Sequence, residues 1–154
     1  MITVRELLPS DRAAVAFAFA HLSARSRYQR FFTAKPELAP RELAHLVNVD
    51  HWHHEALIAF SPAPRAPIGI ARYVRLEAFD TAEVAIEVVD RWQHQGVGTE
   101  LMAALIDRAR HAGIRRFHMT MLRDNKAARL LASHVGPATV LPAAGNVVNL
   151  SYWI

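Results

Sequence analysis

The stretch AEVAIEVVDRWQHQGVGTEL, Ala82 to Leu101, runs from an alternating, strand-like segment into two glycines one residue apart and then into a helical pattern. Glycines at the mouth of a helix let the backbone approach a ligand closely, and the free amide hydrogens and positive dipole end there attract anions. The bend is therefore expected to hold a phosphate, although a tight turn without a ligand would use the same two glycines. Two nucleotide loops are excluded. The P-loop needs a Gly-Lys-Ser/Thr ending, and the dinucleotide fingerprint needs a third glycine where this chain has Leu101.

On the N-terminal side of this stretch, ITVREL reads as a strand, and Ser10 or Asp11 is placed to cap a helix through Ala13, Val15 and Phe17. Leu22 to Phe32 reads as a second helix and Pro40 to Val47 as a short third. The period then changes from helical to alternating. His54 to Phe60, Ile68 to Leu76 and Glu83 to Val89 are three strands in the pattern of an antiparallel meander. After the glycines, Leu101, Met102, Leu105, Ile106 and Ala109 fall on one helical face, and His111-Ala112-Gly113 supplies a stop. RRFHMTML is the next strand, Asn125 to His134 the next helix, and ATVLP-AAGN-VVNLSYWI a closing hairpin. Strands in runs, with helices between the runs, predict a mixed-sheet α+β or α/β domain rather than a doubly wound one.

At 154 residues the chain is the size of one ordinary domain, 1–154, and long enough to bury a core. Its longest nearly uncharged run, AAVAFAFAHL, is about half of the roughly 20 residues a membrane span needs, so no membrane contact is expected. The first residues lack the pattern of a signal peptide, which makes the cytoplasm the expected location. There is no cysteine, so disulfides, thiolate metal sites and an acyl-cysteine intermediate are excluded. The net charge of +4 comes almost wholly from arginine, whose planar fork suits phosphates. Those arginines are scattered rather than clustered, which argues against nucleic-acid binding. His51, His53 and His54 lack the H-E-x-x-H spacing, and no metal is expected.

Gln93-His94-Gln95-Gly96-Val97-Gly98 resembles the Q/R-x-x-G-x-G/A loop of the GNAT superfamily of N-acetyltransferases, and AEVAIEVVDRW resembles that family's fourth strand. RDNKAARLLASHVG is similar to the family's asparagine-bearing helix. LSARSRYQRFF and VDHWHHEALIAF resemble the subgroup that contains the GNAT domains of bacterial protein lysine acetyltransferases. The resemblance implies a mostly antiparallel sheet of about seven strands flanked by helices and splayed between strands four and five. It also implies that backbone amides around Gln95, Gly96, Val97, Gly98 and Thr99 wrap the pyrophosphate of acetyl-CoA, with Gln93 opening the loop. The pantetheine arm would lie in the splay against the backbone of Val88 and Val89, and Asn125 would meet it, cap its own helix, or do both.

Transfer of an acetyl group to an amine needs the neutral amine, and a lysine of pKa about 10.4 is almost wholly protonated at pH 7. Glu83 matches the position of the glutamate that acts as general base through water in many members of the family, and Glu87, on the same strand face, is its rival. The amide of Val89 would polarise the thioester carbonyl. Ala132 stands where many relatives carry a tyrosine that protonates the leaving thiolate, which leaves the general acid open. Arg27, Tyr28 and Arg30 are candidates for the acceptor cleft. The expected reaction is direct transfer from acetyl-CoA to a primary amine of a small molecule or a protein lysine, by a monomer or homodimer. A non-catalytic acyl-CoA-binding module is the alternative.

Overall fold

In the computed structural model, which describes residues 1–154, the change of period at His54 marks the start of the meander. β1 (Thr3–Glu6) is a short edge strand laid antiparallel on β2 (His54–Phe60), and β3 (Pro67–Arg75) and β4 (Thr81–Val88) continue the meander. The 15-residue helix α4 (Val97–His111) then carries the chain back to the end of the sheet where β4 began. β5 (Arg116–Leu122) can therefore lie parallel to β4, as a helical crossover requires. The closing hairpin forms from β6 (Ala138–Leu141) and β7 (Val147–Trp153), and β7 is the strand that pairs with β5. The strand order is β1-β2-β3-β4-β5-β7-β6, a seven-stranded, mostly antiparallel sheet.

Each face of the sheet buries its own cluster. On one, Leu101, Leu105 and Ala109 of α4 pack on Tyr73, Val84 and Phe117, with Ala132 of α5 (Lys126–Ser133) at the edge. On the other, Val15 and Ala18 of α1 (Arg12–Ala20) and Val47 of α3 (Pro40–Val47) pack on Ile58, Ile70 and Val89. Each fully buried Val, Leu or Ile among them contributes about 1.5–3 kcal/mol. Gly69 lets α4 approach β3. A Cβ there would stand 2.9 Å from Leu101 Cδ1 and 3.1 Å from the Glu87 carbonyl.

α2 (Ala24–Phe31) differs from its neighbours in having no buried residue. Ser23 caps it, accepting from the Ser26 amide at 3.1 Å. Asp11 does not cap α1. Its carboxylate turns back to accept from the Leu8 amide at 2.7 Å and from both terminal nitrogens of Arg5 at 2.8 Å. No helix is long and apolar enough to cross a membrane.

Candidate active site

Pairing of β4 with β5 covers only Thr81 to Val84 against Arg116 to Met119. Past Val84 the two strands diverge, and a cavity of about 430 Å³ opens along the gap. Its walls are β4 from Glu83 to Val88, Met119 to Met121 of β5, the glycine loop, the apolar side of α5, and Ser26, Gln29, Arg30 and Phe32 at α2.

The glycine loop forms one mouth of this cavity. Gly96 takes φ of +86° at the helix N-cap, a conformation that penalises any side chain, and His94 is left-handed at +59°. Gly98 serves a different purpose: a Cβ there would stand 3.3 Å from Leu131 Cδ2 of α5, so its hydrogen lets α5 approach. The first bond of α4 is donated by Glu100 to the Gly96 carbonyl. No protein acceptor takes the amide of His94, Gln95, Gly96, Val97, Gly98 or Thr99. Successive free amides at a helix N-terminus suit a pyrophosphate. Gln93 has another partner. Its side-chain amide donates to the Val88 carbonyl at 3.0 Å and to Ser26 Oγ at 3.2 Å, which ties the loop to β4 and α2.

The expectation that Val89 offers its amide to the gap is corrected. Val89 lies just past the end of β4, its side chain is in the core, and its N–H donates to the Ile68 carbonyl at 2.9 Å. Hydrogen-bond direction alternates along an antiparallel strand, so the backbone groups of Glu87, Ala85 and Glu83 also face β3. Those of Ile86 and Val88 face the gap, where β5 has moved away. The residues available to pair with an extended ligand arm are therefore Ile86 and Val88, one step from the expected Val89.

Glu83, Ala85 and Glu87 share the sheet face opposite α4, and both carboxylates line the cavity. Glu83 is exposed, with no cation within ion-pair distance. Its neighbour in the parallel register is His118. Glu87 is not the surface carboxylate that alternation alone suggests. Its side chain is 8% exposed, 3.5 Å from Arg30 Nε, and diagonal across the strands from the buried Arg72. Arg72 donates to the Leu46 carbonyl and to His54 Nε2, each at 3.1 Å. Burial lowers the Arg72 pKa to about 10, an effect that the Glu87 charge partly offsets. Burial, followed by the charges of Arg72 and His45, lowers His54 to about 4, so His54 is neutral and able to accept.

Asn125 both lines the cavity and caps α5, accepting from the Ala128 amide at 3.0 Å. Ala132 is fully buried in the core beneath α5. Ser133 donates back to Leu130, and Tyr152 is buried on the α4 side, so neither lines the cavity. Of the early-helix candidates only Arg30 lines it. Arg27 is tied to the carbonyls of Phe19 and Pro36, and Tyr28 points away from it. His51, His53 and His54 meet Glu55, Asp50 and Arg72 respectively. Sequence reasoning missed Ser26, Gln29 and Arg72. A signal for Arg72 was present, since an arginine inside the apolar run IGIARYVRL must be matched by buried partners.

Residues 21–136 match the profile of the Acetyltransferase (GNAT) family. Acetyltransferase Pat of Mycolicibacterium smegmatis is 34% identical over 148 residues, which are 95% of this chain but 44% of that protein. The chain thus spans less than half the length of this relative. The crystal structure of the GNAT domain of S. lividans PAT superposes with a TM-score of 0.91 at 28% identity, covering 98% of this chain and 89% of that one. The PaiA N-acetyltransferase of Thermoplasma acidophilum, solved in complex with coenzyme A, shares the fold at 15% identity, with a TM-score of 0.81 over 100% of this chain and 99% of its own.

Proposed function

The chain belongs to the acetyltransferase (GNAT) family, and from that premise we propose that it moves an acetyl group from acetyl-CoA directly to a primary amine of a small molecule or a protein lysine. The observation that carries this reading is the run of free amides from His94 to Thr99, opening onto a gap where the N–H groups of Ile86 and Val88 face away from β3 toward the missing β5 partner, and leading to Glu83. Bound acetyl-CoA would supply the activated acyl thioester. The loop amides would hold its pyrophosphate, and the amides of Ile86 and Val88 would pair with its arm and polarise the carbonyl. Glu83, open to solvent and free of a cationic partner, would take the proton of the amine, directly or through one water. Ala132, Ser133 and Tyr152 would not supply the acid for the leaving thiolate, since none of them lines the cavity. A thiol of pKa near 8.5 leaves tolerably as thiolate near neutral pH, so turnover does not require one.

A binding module without turnover is the second reading, favoured by Ala132 at the usual tyrosine position and its burial in the core. Two measurements separate the possibilities. A ligand of the native state must stabilise it by mass action, by about 2.7 kcal/mol at a hundredfold excess over its Kd, and so raise the melting temperature. An unchanged melting temperature at about 1 mM acetyl-CoA sinks both readings. Thiol release with any member of a panel of amines and lysine peptides removes the module, and binding without release from any of them removes the enzyme.

A further inference from the structure

The wall of the cavity opposite the sheet is α2, and what holds it in place is unusual for a helix. It buries no residue fully, and the apolar packing that fixes most helices is reduced to the edge of Phe31 against the Phe19 ring, with centroids 5.9 Å apart. Its other attachments are made by polar and charged groups and sort into two groups. At the back, Arg27 donates to the carbonyls of Phe19 and Pro36 and stacks over the Phe19 ring at 4.2 Å, which hinges α2 to the end of α1. At the front, every attachment runs to the segment from Glu87 to Gln93, which leads into the glycine loop. The Ser23 amide donates to Asp90 Oδ1 at 2.8 Å, Gln93 Nε2 donates to Ser26 Oγ at 3.2 Å, and Arg30 Nε lies 3.5 Å from Glu87 Oε2. Burial raises the Asp90 carboxyl, but the Ser23 amide and the hydroxyls of Ser23 and Ser26 outweigh it and hold the pKa below its usual value.

We propose that Ser26, Asp90 and Gln93 are positioning residues that transmit occupancy of the glycine loop to α2, so that acetyl-CoA binding orders the wall carrying Gln29 and Arg30 and completes the acceptor half of the cavity. The inference rests on the acetyl-CoA reading. The segment that fastens α2 from the front, Glu87 to Gln93, runs directly into the loop that a pyrophosphate would immobilise, and it does so through polar contacts. Ordering it first lowers the entropy that a subsequent acceptor must remove, which is positive coupling without a new acceptor contact. By linkage the coupling is reciprocal, and couplings of this kind amount to about 5–150-fold. Glu87 Oε2 and Arg72 Nη2, both buried without hydrogen-bond partners, lie beneath this wall. A firmer seat for Arg30 on Glu87 would satisfy the first of them.

Amide hydrogen exchange with coenzyme A itself as the probe tests this without an identified acceptor. In the wild type, about 1 mM coenzyme A is expected to slow exchange of the amides of residues 94–99 and, by about fivefold or more, those of residues 27–31 in α2. In Ser26→Ala and Asp90→Asn the loop remains protected by the ligand while α2 loses its ligand-dependent protection, and Ser26→Thr restores it. Protection of the loop with no change in α2 of the wild type overturns the inference and leaves the cofactor reading standing. Protection of α2 that persists in both variants also overturns it. No protection anywhere removes the cofactor reading and this inference with it. Ser26 and Asp90 lie outside both apolar clusters, so their variants are expected to fold.

Discussion

Glu83 and Glu87 are two residues of one type, four apart on one strand face, and their surroundings separate their roles. Glu83 is exposed and unpaired, whereas Glu87 is enclosed by Arg30 and lies diagonal to Arg72. The Glu87 carboxylate is occupied by an ion pair, whereas that of Glu83 is free to meet an incoming amine or its water. Glu83→Gln is expected to leave coenzyme A affinity unchanged and to lower turnover by about 10²- to 10⁴-fold near neutral pH. The loss should shrink as pH rises toward the pKa of the amine, because an acceptor already neutral no longer needs the base. Steady-state rates across pH check this, and a deficit that does not vary with pH would remove Glu83 as base. His118, its register neighbour, is then the next group to replace. Glu87→Gln is no neutral control, since it strips the counter-charge from beside a buried arginine and is expected to cost stability.

At the scale of the element, the two glycines that open α4 are required for different reasons. Gly96 has open space where a Cβ would go but a φ of +86°, whereas Gly98 lacks space against Leu131. Gly96→Val is therefore expected to re-aim the loop amides and abolish measurable coenzyme A binding, with circular dichroism unchanged. Gly98→Ala requires Leu131 to yield by a few tenths of an ångström and should weaken binding by about tenfold or less, near 1.4 kcal/mol. Calorimetric titration of both variants with coenzyme A orders them, and an affinity equal to wild type in both would contradict the loop assignment. The loop itself was readable from GxG at a strand-to-helix turn. The separate duties of its glycines were not, because one depends on a side chain of α5 more than 30 residues away.

At the scale of the molecule, β3 is tied to α3 and to β2 by the buried Arg72, which donates to the Leu46 carbonyl and to His54. His54 accepts from Arg72 and is pushed down to about 4 from the usual value near 6.5. Between those two values the unfolded chain binds more protons than the folded one, so stability rises with pH across that window. The contribution is intact above about 6.5 and lost as pH falls through about 4, when a protonated His54 would face the Arg72 guanidinium. The melting temperature is expected to fall as pH is lowered from 6.5 to 4, and His54→Gln should flatten that slope. An identical slope in wild type and variant would show that other groups carry the acid sensitivity.

Alternation and helical period, each a property of neighbouring residues, were enough to place the meander, the crossover helix and the closing hairpin. His54 to Phe60 and Pro40 to Val47 fall at the bounds read from the sequence. The expectation of an anion at the loop has the same local origin, because a helix start leaves its first amides without intrahelical acceptors. Tertiary structure alone decided which amides face the gap. A single step, from Val89 to Val88, reverses hydrogen-bond direction, and the parity is set by register with β3, about 20 residues earlier in the chain. It alone also placed Glu87 beside Arg30 and near Arg72, and set α2 against the loop through Ser23, Ser26, Asp90 and Gln93. These pairings join residues up to 67 positions apart, and no local preference encodes a contact whose existence depends on how the intervening chain has packed.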